Sequence, residues 1–277
     1  MAIEQQSYFT IRPRSGWQAL NLGEIFRYRD LFYFFVWRDI KVRYAQSVLG
    51  VGWALIQPLF NMVVFTIIFG KLAKLSSDGS PYYLFSLVAL VPWHYFSGAL
   101  SDASGSLVGG SNLVNKVYFP RMILPLAAAL SKMVDFIIAL TITVALLLFS
   151  GRLPSGTVLL LPLLCLLMFF SASGVGMWLT SLAVQYRDIR YGLGFGLQLL
   201  MYGSPVVYSV SVIPDKWIYL YACNPMVGVI ESFRSIFLGT RAFPWDLLAV
   251  GSFSTFILLI SGAFYFRRME KFFADVA

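Results

Sequence analysis

Long uncharged runs, separated by short charged segments, dominate the pattern of hydrophobic and polar positions along this chain. A sixth apolar run, beside five uncharged ones of about 20 residues or more, is interrupted only by Lys132 and Asp135. At about 1.5 Å per residue, 20 helical residues cover about 30 Å, the thickness of a hydrocarbon core. The pattern therefore predicts an all-α polytopic membrane protein with six transmembrane helices. The predicted spans are approximately residues 48–70, 82–101, 122–150, 162–186, 191–210 and 247–266.

The chain before the first run is charged and aromatic. Residues 1–47 carry seven Lys and Arg residues, which predicts a cytoplasmic N-terminus by the positive-inside rule. The apolar stretch LFYFFVW is too short to cross a membrane, and a helix through it would align four charged residues along one stripe. These residues are Arg27, Asp30, Arg38 and Lys41. We predict an amphipathic interface helix on the inner leaflet; an aromatic helix packed in the protein core is the alternative.

Charges at the ends of the runs set the expected topology. With six spans, residues 269–277 form a cytoplasmic tail behind a transmembrane domain of residues 48–268, and 14 of the 21 Lys and Arg residues lie inside. The uncharged stretch 217–230 is too short to span, so we predict short re-entrant helices between spans 5 and 6. The first 30 residues contain no apolar signal-peptide core, so the first span is expected to direct insertion.

Composition agrees with this class and narrows the partners. The chain is 58% hydrophobic and 12% charged, whereas a soluble domain carries about 25% charged residues. The net charge of +8 arises from cations clustered at span ends, which favours membrane lipids over nucleic acid as the anionic partner. The two cysteines lie far apart in apolar surroundings and indicate neither a disulfide framework nor a metal site.

Sequence signatures of enzymes are scarce. The chain contains no phosphate-binding GxxxxGK[ST] loop, no HExxH and no GxSxG motif. His94, the one histidine, could relay protons or be hydrogen-bonded between helices. Lys132 and Asp135 are spaced to pair across one helical turn, which allows either a structural ion pair or a role in transport. The abundant aromatic residues could form interfacial belts or stack against sugar rings.

A short helix is predicted between spans 2 and 3. The sequence Gly109-Gly110-Ser111-Asn112 is a typical helix start, and Pro120 ends whatever begins there. The intervening residues 113–118 allow only one or two turns. Because helix nucleation is costly, such a helix is marginal alone and would need a partner surface.

Several motifs in order resemble a known family. They are RYAQSVLGVGWALIQP (43–58), VYFPRMILPLA (117–127), YRDIRY (186–191), SPVVY (204–208), NPMVGVIESFR (224–234) and FRRMEKFFADV (266–276). Together they resemble the type 2 ABC-exporter permeases that move polysaccharides across bacterial inner membranes, and most closely the Wzm-like O-antigen export permeases. Capsule and teichoic acid exporters are near relatives of that group. The resemblance extends over nearly the whole chain from about residue 22.

The resemblance implies a homodimer of six-span subunits in the bacterial inner membrane, joined to two ABC ATPase subunits. ATP and Mg²⁺ would bind those partners, so this chain needs no cofactor and is itself no enzyme. The implied ATPase-coupling residues are Asn112, Leu113, Asn115, Lys116, Tyr118, Arg187, Asp188 and Arg190. The implied outer re-entrant residues are Trp217, Tyr219, Asn224, Pro225, Glu231 and Arg234.

The implied cargo is an undecaprenyl-diphosphate-linked glycan of the O-antigen type. We expect Arg38, Lys41 and Arg43 to meet its phosphate oxygens at the inner leaflet. Teichoic acid, capsule or a small drug are alternative cargoes. A membrane-embedded glycosyl- or acyltransferase would require a polar catalytic cluster that the sequence does not indicate, and a passive pore would not need a coupling helix.

Overall fold

The computed structural model describes residues 22–45, 50–110, 117–270 and 273, and within these residues the fold is entirely helical. The described part begins with two helices, α1 (Leu22–Arg27) and α2 (Arg29–Tyr44). The remaining helices are α3 (Trp53–Phe65, continued by a π-helical segment Thr66–Leu72), α4 (Tyr82–Gly109), α5 (Ile123–Phe149), α6 (Leu161–Gln185), α7 (Asp188–Tyr202), α8 (Asp215–Ala222), α9 (Pro225–Leu238) and α10 (Trp245–Met269).

Five of the described helices are long and apolar enough to cross a membrane. They are Trp53–Leu72, Tyr82–Gly109, Ile123–Phe149, Gly156–Gln185 and Trp245–Met269. Each corresponds to one of the predicted spans, with ends that differ by a few residues. The largest difference is in α4, which continues to Gly109 although the prediction ended at residue 101.

The predicted fifth span is a shorter helix than expected. α7 begins at Asp188 and ends at Tyr202, so its 15 residues cover about 22 Å rather than the thickness of a bilayer core. Residues 203–208 form turns instead of continuing the helix. Pro205 lies in this segment, and a proline removes a helical hydrogen bond and disfavours helical backbone in the residue before it. The prediction placed the end of the helix eight residues too late.

Helix α4 lies at the centre of the bundle. It packs against α3, α5, α6 and α9, and most of its side chains from Tyr82 to Leu107 are buried. Among the five long helices, α4 is the least apolar and the one that its neighbours cover most completely.

Two glycines allow α6 and α10 to touch through their backbones. A Cβ atom on Gly262 would lie 2.2 Å from the carbonyl oxygen of Gly174, a distance that no side chain can occupy. Beside this crossing, the rings of Trp178 and Tyr265 stack with centroids 4.1 Å apart. Small residues at a crossing point are a common means of close helix packing in membranes.

The N-terminal helix α2 packs on one side only. Phe35 is 1% exposed and lies in a cluster with Phe119 and Phe266, which ties α2 to the start of α5 and the end of α10. The opposite face presents Tyr33 and Trp37, which are 70% and 55% exposed. An entirely buried aromatic helix, the alternative to an interface helix, does not agree with this exposed face.

Candidate functional site

Four charged side chains form a closed ring between α2, α4 and α5. Arg43 Nη2 lies 2.7 Å from Asp102 Oδ2, and Arg43 Nη1 lies 3.4 Å from Asp135 Oδ2. Lys132 Nζ lies 3.0 Å from the same Asp135 oxygen and 3.7 Å from Asp102 Oδ2. Each cation thus contacts both anions and each anion contacts both cations. The four formal charges cancel, which is the condition for placing charged groups among apolar helices.

Three helices supply this ring. Arg43 stands in the last turn of α2, Asp102 stands near the end of α4, and Lys132 and Asp135 are one turn apart on α5. Arg43 also donates to the backbone oxygen and hydroxyl of Ser131, each at 3.2 Å. Tyr44 donates its hydroxyl hydrogen to Asp135. The end of α2 is therefore joined to α5 by hydrogen bonds as well as by charge.

A polar and small-residue stripe of α4 leads away from the ring. His94, Gly98 and Asp102 are four residues apart and so share one face of the helix. Gly98 leaves room for Lys132, because a Cβ atom there would lie 2.6 Å from Lys132 Cε. Farther along, His94 Nε2 lies 3.2 Å from Asn61 Nδ2 of α3. His94 therefore has a hydrogen-bonding partner on another helix, as one of the two interpretations of this residue expected.

The ring extends the ion pair expected from the sequence. The pairing of Lys132 with Asp135 is present, but Arg43 and Asp102 were not expected to join it. Asp102 was assigned to a cytoplasmic loop because it follows the uncharged run of span 2. The four-residue repeat of His94, Gly98 and Asp102 is the signal that could have placed it on the helix.

The three cations expected to meet phosphate differ in their surroundings. Arg38 donates to Asp39 Oδ1 at 2.8 and 3.0 Å and lies over the ring of Phe35. Arg43 is held in the ring of charges. Lys41 is exposed and forms no ion pair with the residues that the structure describes. Lys41 is therefore the cation that a phosphate could reach without displacing a carboxylate.

The short helix predicted at residues 113–118 falls mostly outside the described residues. Asn112, Leu113, Asn115 and Lys116 lie outside the described residues. Tyr118 is described, lies in an irregular segment and donates its hydroxyl hydrogen to Glu24 Oε1 at 3.2 Å. Partial burial and the neighbouring Glu24 carboxylate raise the pKa of Tyr118 above its ordinary value, so it remains a hydrogen-bond donor at neutral pH.

A second group of ion pairs joins the chain segments beside Tyr118. Arg267 of α10 lies 2.6 Å from Glu270 and 3.6 Å from Glu24 of α1. Glu270 in turn accepts a hydrogen bond from the backbone N–H of Arg121 at 3.3 Å, and its carbonyl oxygen accepts one from the Arg121 guanidinium at 2.9 Å. Helix α1, the segment before α5 and the end of α10 are thus held together. Arg267 and Glu270 are one helical turn apart, but the contacts that reach Glu24 and Arg121 join residues far apart along the chain and leave no spacing signal in the sequence.

The other predicted coupling residues are freely accessible. Arg187 lies in the turn between α6 and α7, Asp188 and Arg190 lie in the first turn of α7, and all three side chains are exposed. None of them forms an ion pair with another described residue. Charged side chains without internal partners are available to a partner surface.

The segment expected on the outer side consists of α8 and α9, and these helices differ sharply in burial. Trp217 and Tyr219 of α8 are 52% and 58% exposed. By contrast, every residue of α9 is buried. Asn224 caps this helix by accepting a hydrogen bond from the N–H of Met226, and Pro225 occupies the first helical position, where its missing N–H costs nothing.

Arg234 of α9 is buried and fastens the turn that follows α7. It lies 2.7 Å from Glu231 Oε1 and donates to the carbonyl oxygens of Val206 and Tyr208 at 3.1 and 3.2 Å. Its guanidinium lies 3.6 Å from the ring centroid of Phe85. Two motifs that are 20 residues or so apart in sequence, SPVVY and NPMVGVIESFR, therefore form one structural unit.

Further contacts complete this outer unit. Asn224 Nδ2 donates to Ser204 Oγ at 2.8 Å, and the hydroxyls of Tyr208 and Tyr221 lie 2.9 Å apart. Burial and the hydrogen bond to Tyr208 raise the pKa of Tyr221. Asp78, in the segment between α3 and α4, accepts a hydrogen bond from Ser209 at 2.6 Å. The sequence predicted short helices here but did not indicate this network.

Comparison with known proteins adds the family context. A family described as ABC-2 type transporter matches residues 30–238. An O-antigen export system permease protein of Klebsiella pneumoniae is 26% identical over 257 residues, covering 92% of this chain and 97% of the relative. One of Myxococcus xanthus is 28% identical, covering 90% and 96%. A polysialic acid transport protein of Escherichia coli is 23% identical, covering 84% and 91%.

Proposed function

Because the chain belongs to the ABC-2 type transporter family, we propose that it is the transmembrane permease subunit of an ATP-driven exporter of lipid-linked polysaccharide. The observation that carries this proposal is the end-to-end similarity to O-antigen export permeases, which includes more than nine tenths of each relative. The five long apolar helices support a multi-pass membrane protein. The O-antigen type of glycan is the proposed cargo.

The proposed topology has six crossings with both termini in the cytoplasm. α7 supplies the remaining crossing, completed by the turns at residues 203–210. α2 lies along the inner leaflet, and its exposed Tyr33 and Trp37 suit the headgroup region. α8 and α9 form the re-entrant unit at the outer surface of a bacterial inner membrane.

The proposed assembly is a homodimer bound to two ABC ATPase subunits, which hold ATP and Mg²⁺. The exposed Arg187, Asp188 and Arg190, together with the predicted helix at residues 113–118, form the surface for the ATPase. Tyr118, beside this surface, donates to Glu24, and the ion pairs of Arg267 with Glu24 and Glu270 connect α1 with α10 and the segment before α5. Movement of the ATPase can therefore reach several helices at once.

In the proposed mechanism, the diphosphate of the lipid carrier approaches α2 at the inner leaflet. Lys41 meets it first, since Arg38 and Arg43 are engaged by carboxylates. ATP binding closes the two ATPase subunits, and the coupling surfaces separate the two permease subunits. The glycan then passes outward between them, beside exposed aromatic side chains that can stack against sugar rings.

The proposal is tested by ATP hydrolysis in the purified complex. The chain is expressed together with the ABC ATPase proposed as its partner, and the complex is reconstituted into nanodiscs. Lipid-linked O-antigen is expected to stimulate hydrolysis several-fold, whereas the free glycan and the lipid carrier alone are matched controls that should stimulate much less. Absence of a copurifying ATPase, or hydrolysis that no lipid-linked glycan changes, would contradict the proposal.

Capsule polysaccharide is the second candidate cargo, because a polysialic acid transport protein is similar over 84% of the chain. The same assay separates the two cargoes. Stimulation by a lipid-linked acidic capsule polymer, without stimulation by O-antigen, would assign the chain to capsule export. The identity is lower than for the O-antigen permeases, which is why O-antigen is proposed first.

A further inference from the structure

We propose that the ring of Arg43, Asp102, Lys132 and Asp135 is a releasable joint for α2, and that Lys132 is the positioning residue that makes release possible. The joint rests on the proposed function in one respect, since its movement would serve transport. It concerns residues of this chain alone, however, and nothing in it depends on which glycan is carried.

The four charges of the ring come from different helices. Only Arg43 belongs to α2, whereas Asp102, Lys132 and Asp135 belong to α4 and α5, which pack closely together. Arg43 is therefore the one charge that leaves if α2 moves away from the bundle. The other three would stay where they are.

Lys132 lowers the free-energy cost of withdrawing Arg43 from the ring. Its ammonium already lies within 3.7 Å of Asp102 and 3.0 Å of Asp135, so both carboxylates keep a cationic partner after Arg43 has left. Without Lys132, withdrawal of Arg43 would leave two partly buried carboxylates without any partner, and an uncompensated charge is costly. The joint is thus held by Arg43 and loosened by Lys132.

Gly98 provides the space that the side chain of Lys132 occupies. The missing side chain of Gly98 lets the lysine stem lie against α4, because a Cβ atom would lie 2.6 Å from Lys132 Cε. A methyl group at Gly98 would push the stem aside, and the Lys132–Asp102 distance, already 3.7 Å, is the contact that such a shift would lengthen. Gly98 therefore serves to keep Lys132 near both carboxylates, in addition to allowing close helix packing.

The last turn of α2 lies two helical turns from the buried Phe35, so Arg43 could leave the ring while Phe35 stays packed. Beyond α2 the chain enters α3, whose side chains Trp53 and Phe60 are 58% and 67% exposed, so neighbouring helices cover α3 on part of its surface only. Asp102 is 36% exposed, which leaves the ring open to water on one side. A joint at this position would connect the cytoplasmic end of the chain with the first wall of the transport path.

Hydrogen–deuterium exchange of α2 tests the joint in the assembled complex with the ATPase. The proposal predicts opposite effects of two neighbouring substitutions. Arg43→Gln should speed exchange of the last turns of α2 several-fold. Lys132→Met should slow it several-fold, because the remaining arginine then holds two carboxylates alone. Gly98→Ala, which displaces the lysine without removing its charge, should slow exchange in the same direction, and Lys132→Arg should restore the wild-type rate.

A merely structural ion-pair cluster gives a different result. In that case Lys132→Met would loosen α2 just as Arg43→Gln does, and acceleration by both variants would overturn the proposal. An unchanged rate in Lys132→Met would overturn it as well. Lys71→Met is the matched control, since Lys71 is an exposed lysine at the far end of α3, and it should leave exchange of α2 unchanged.

A nucleotide-bound measurement connects the joint to transport. With a non-hydrolysable ATP analogue, the wild-type complex should show faster exchange in α2, and Lys132→Met should suppress this increase. If the wild type shows no nucleotide effect, the joint does not take part in the ATP cycle. Exchange needs no glycan, so an error about the cargo would appear in the hydrolysis assay and not here.

Discussion

Removal of the buried Arg234 should destabilise the outer unit strongly. Arg234 and Glu231 are 3% and 4% exposed, and the guanidinium also binds the carbonyl oxygens of Val206 and Tyr208. Arg234→Met would leave the Glu231 carboxylate buried without its cation. Breaking a buried pair in this way typically costs about 3–5 kcal/mol, and most of that cost is the stranded charge.

The double variant separates the stranded charge from lost packing. In Glu231→Met with Arg234→Met no charge remains, and replacing both members of a buried pair by apolar residues is often close to neutral. The hydrogen bonds to the two carbonyl groups are still lost, at about 1 kcal/mol each. We therefore expect the double variant to be less destabilised than Arg234→Met alone, by about 1–3 kcal/mol.

Thermal unfolding of the purified protein in one detergent provides the assay. The wild type should have the highest unfolding midpoint, the double variant an intermediate one, and Arg234→Met the lowest. Arg29→Met is the matched control, because Arg29 and Asp30 are 72% and 99% exposed and pair at 3.8 Å, so its removal should cost about 0–1 kcal/mol. A double variant that unfolds at or below the temperature of the single variant would refute the reasoning.

Three further predictions concern packing, coupling and substrate access. Gly262→Val should prevent the close crossing of α6 and α10, because its Cβ would overlap Gly174. The yield of monodisperse protein should therefore fall sharply. Gly105→Ala, whose added methyl group meets open space, should leave that yield unchanged. Arg187→Glu should weaken copurification with the ATPase while thermal stability stays near the wild type, because this side chain is exposed; unaltered copurification would count against a coupling role. Lys41→Gln should raise the concentration of lipid-linked glycan needed for half-maximal ATPase stimulation by about three- to tenfold, because one charge-assisted phosphate contact is lost. The maximal rate should stay unchanged. A change in the maximal rate alone would argue against headgroup contact.

The positions of the long helices could be predicted from the sequence because burial and membrane spanning both require uninterrupted apolar runs. α5 and α10 begin and end close to the predicted residues. α7 was predicted poorly, since the apolar run continues through SPVVY while the helix does not. The backbone there is held by Arg234, a contact between segments that no local pattern shows.

The candidate site was predictable only where its residues share a helix. Lys132 and Asp135 are three residues apart on α5, and their pairing follows from helical geometry. Arg43 and Asp102 reach the same point from α2 and α4, which depends on how three helices pack. The repeat of His94, Gly98 and Asp102 marks one face of α4, but no local pattern indicates which neighbouring helices meet that face, so the ring required the structure.

Transport itself is the central claim, and one measurement tests it directly. The permease and its ATPase are reconstituted into liposomes with fluorescently labelled lipid-linked O-antigen. ATP is then added on one side of the membrane. A membrane-impermeant glycosidase on the opposite side measures the fraction of glycan that has crossed. The account predicts an ATP-dependent rise in that fraction, absent when the ATPase carries a substitution that abolishes hydrolysis. Glycan that stays on the side where ATP is supplied, in liposomes whose ATPase is active, would contradict it.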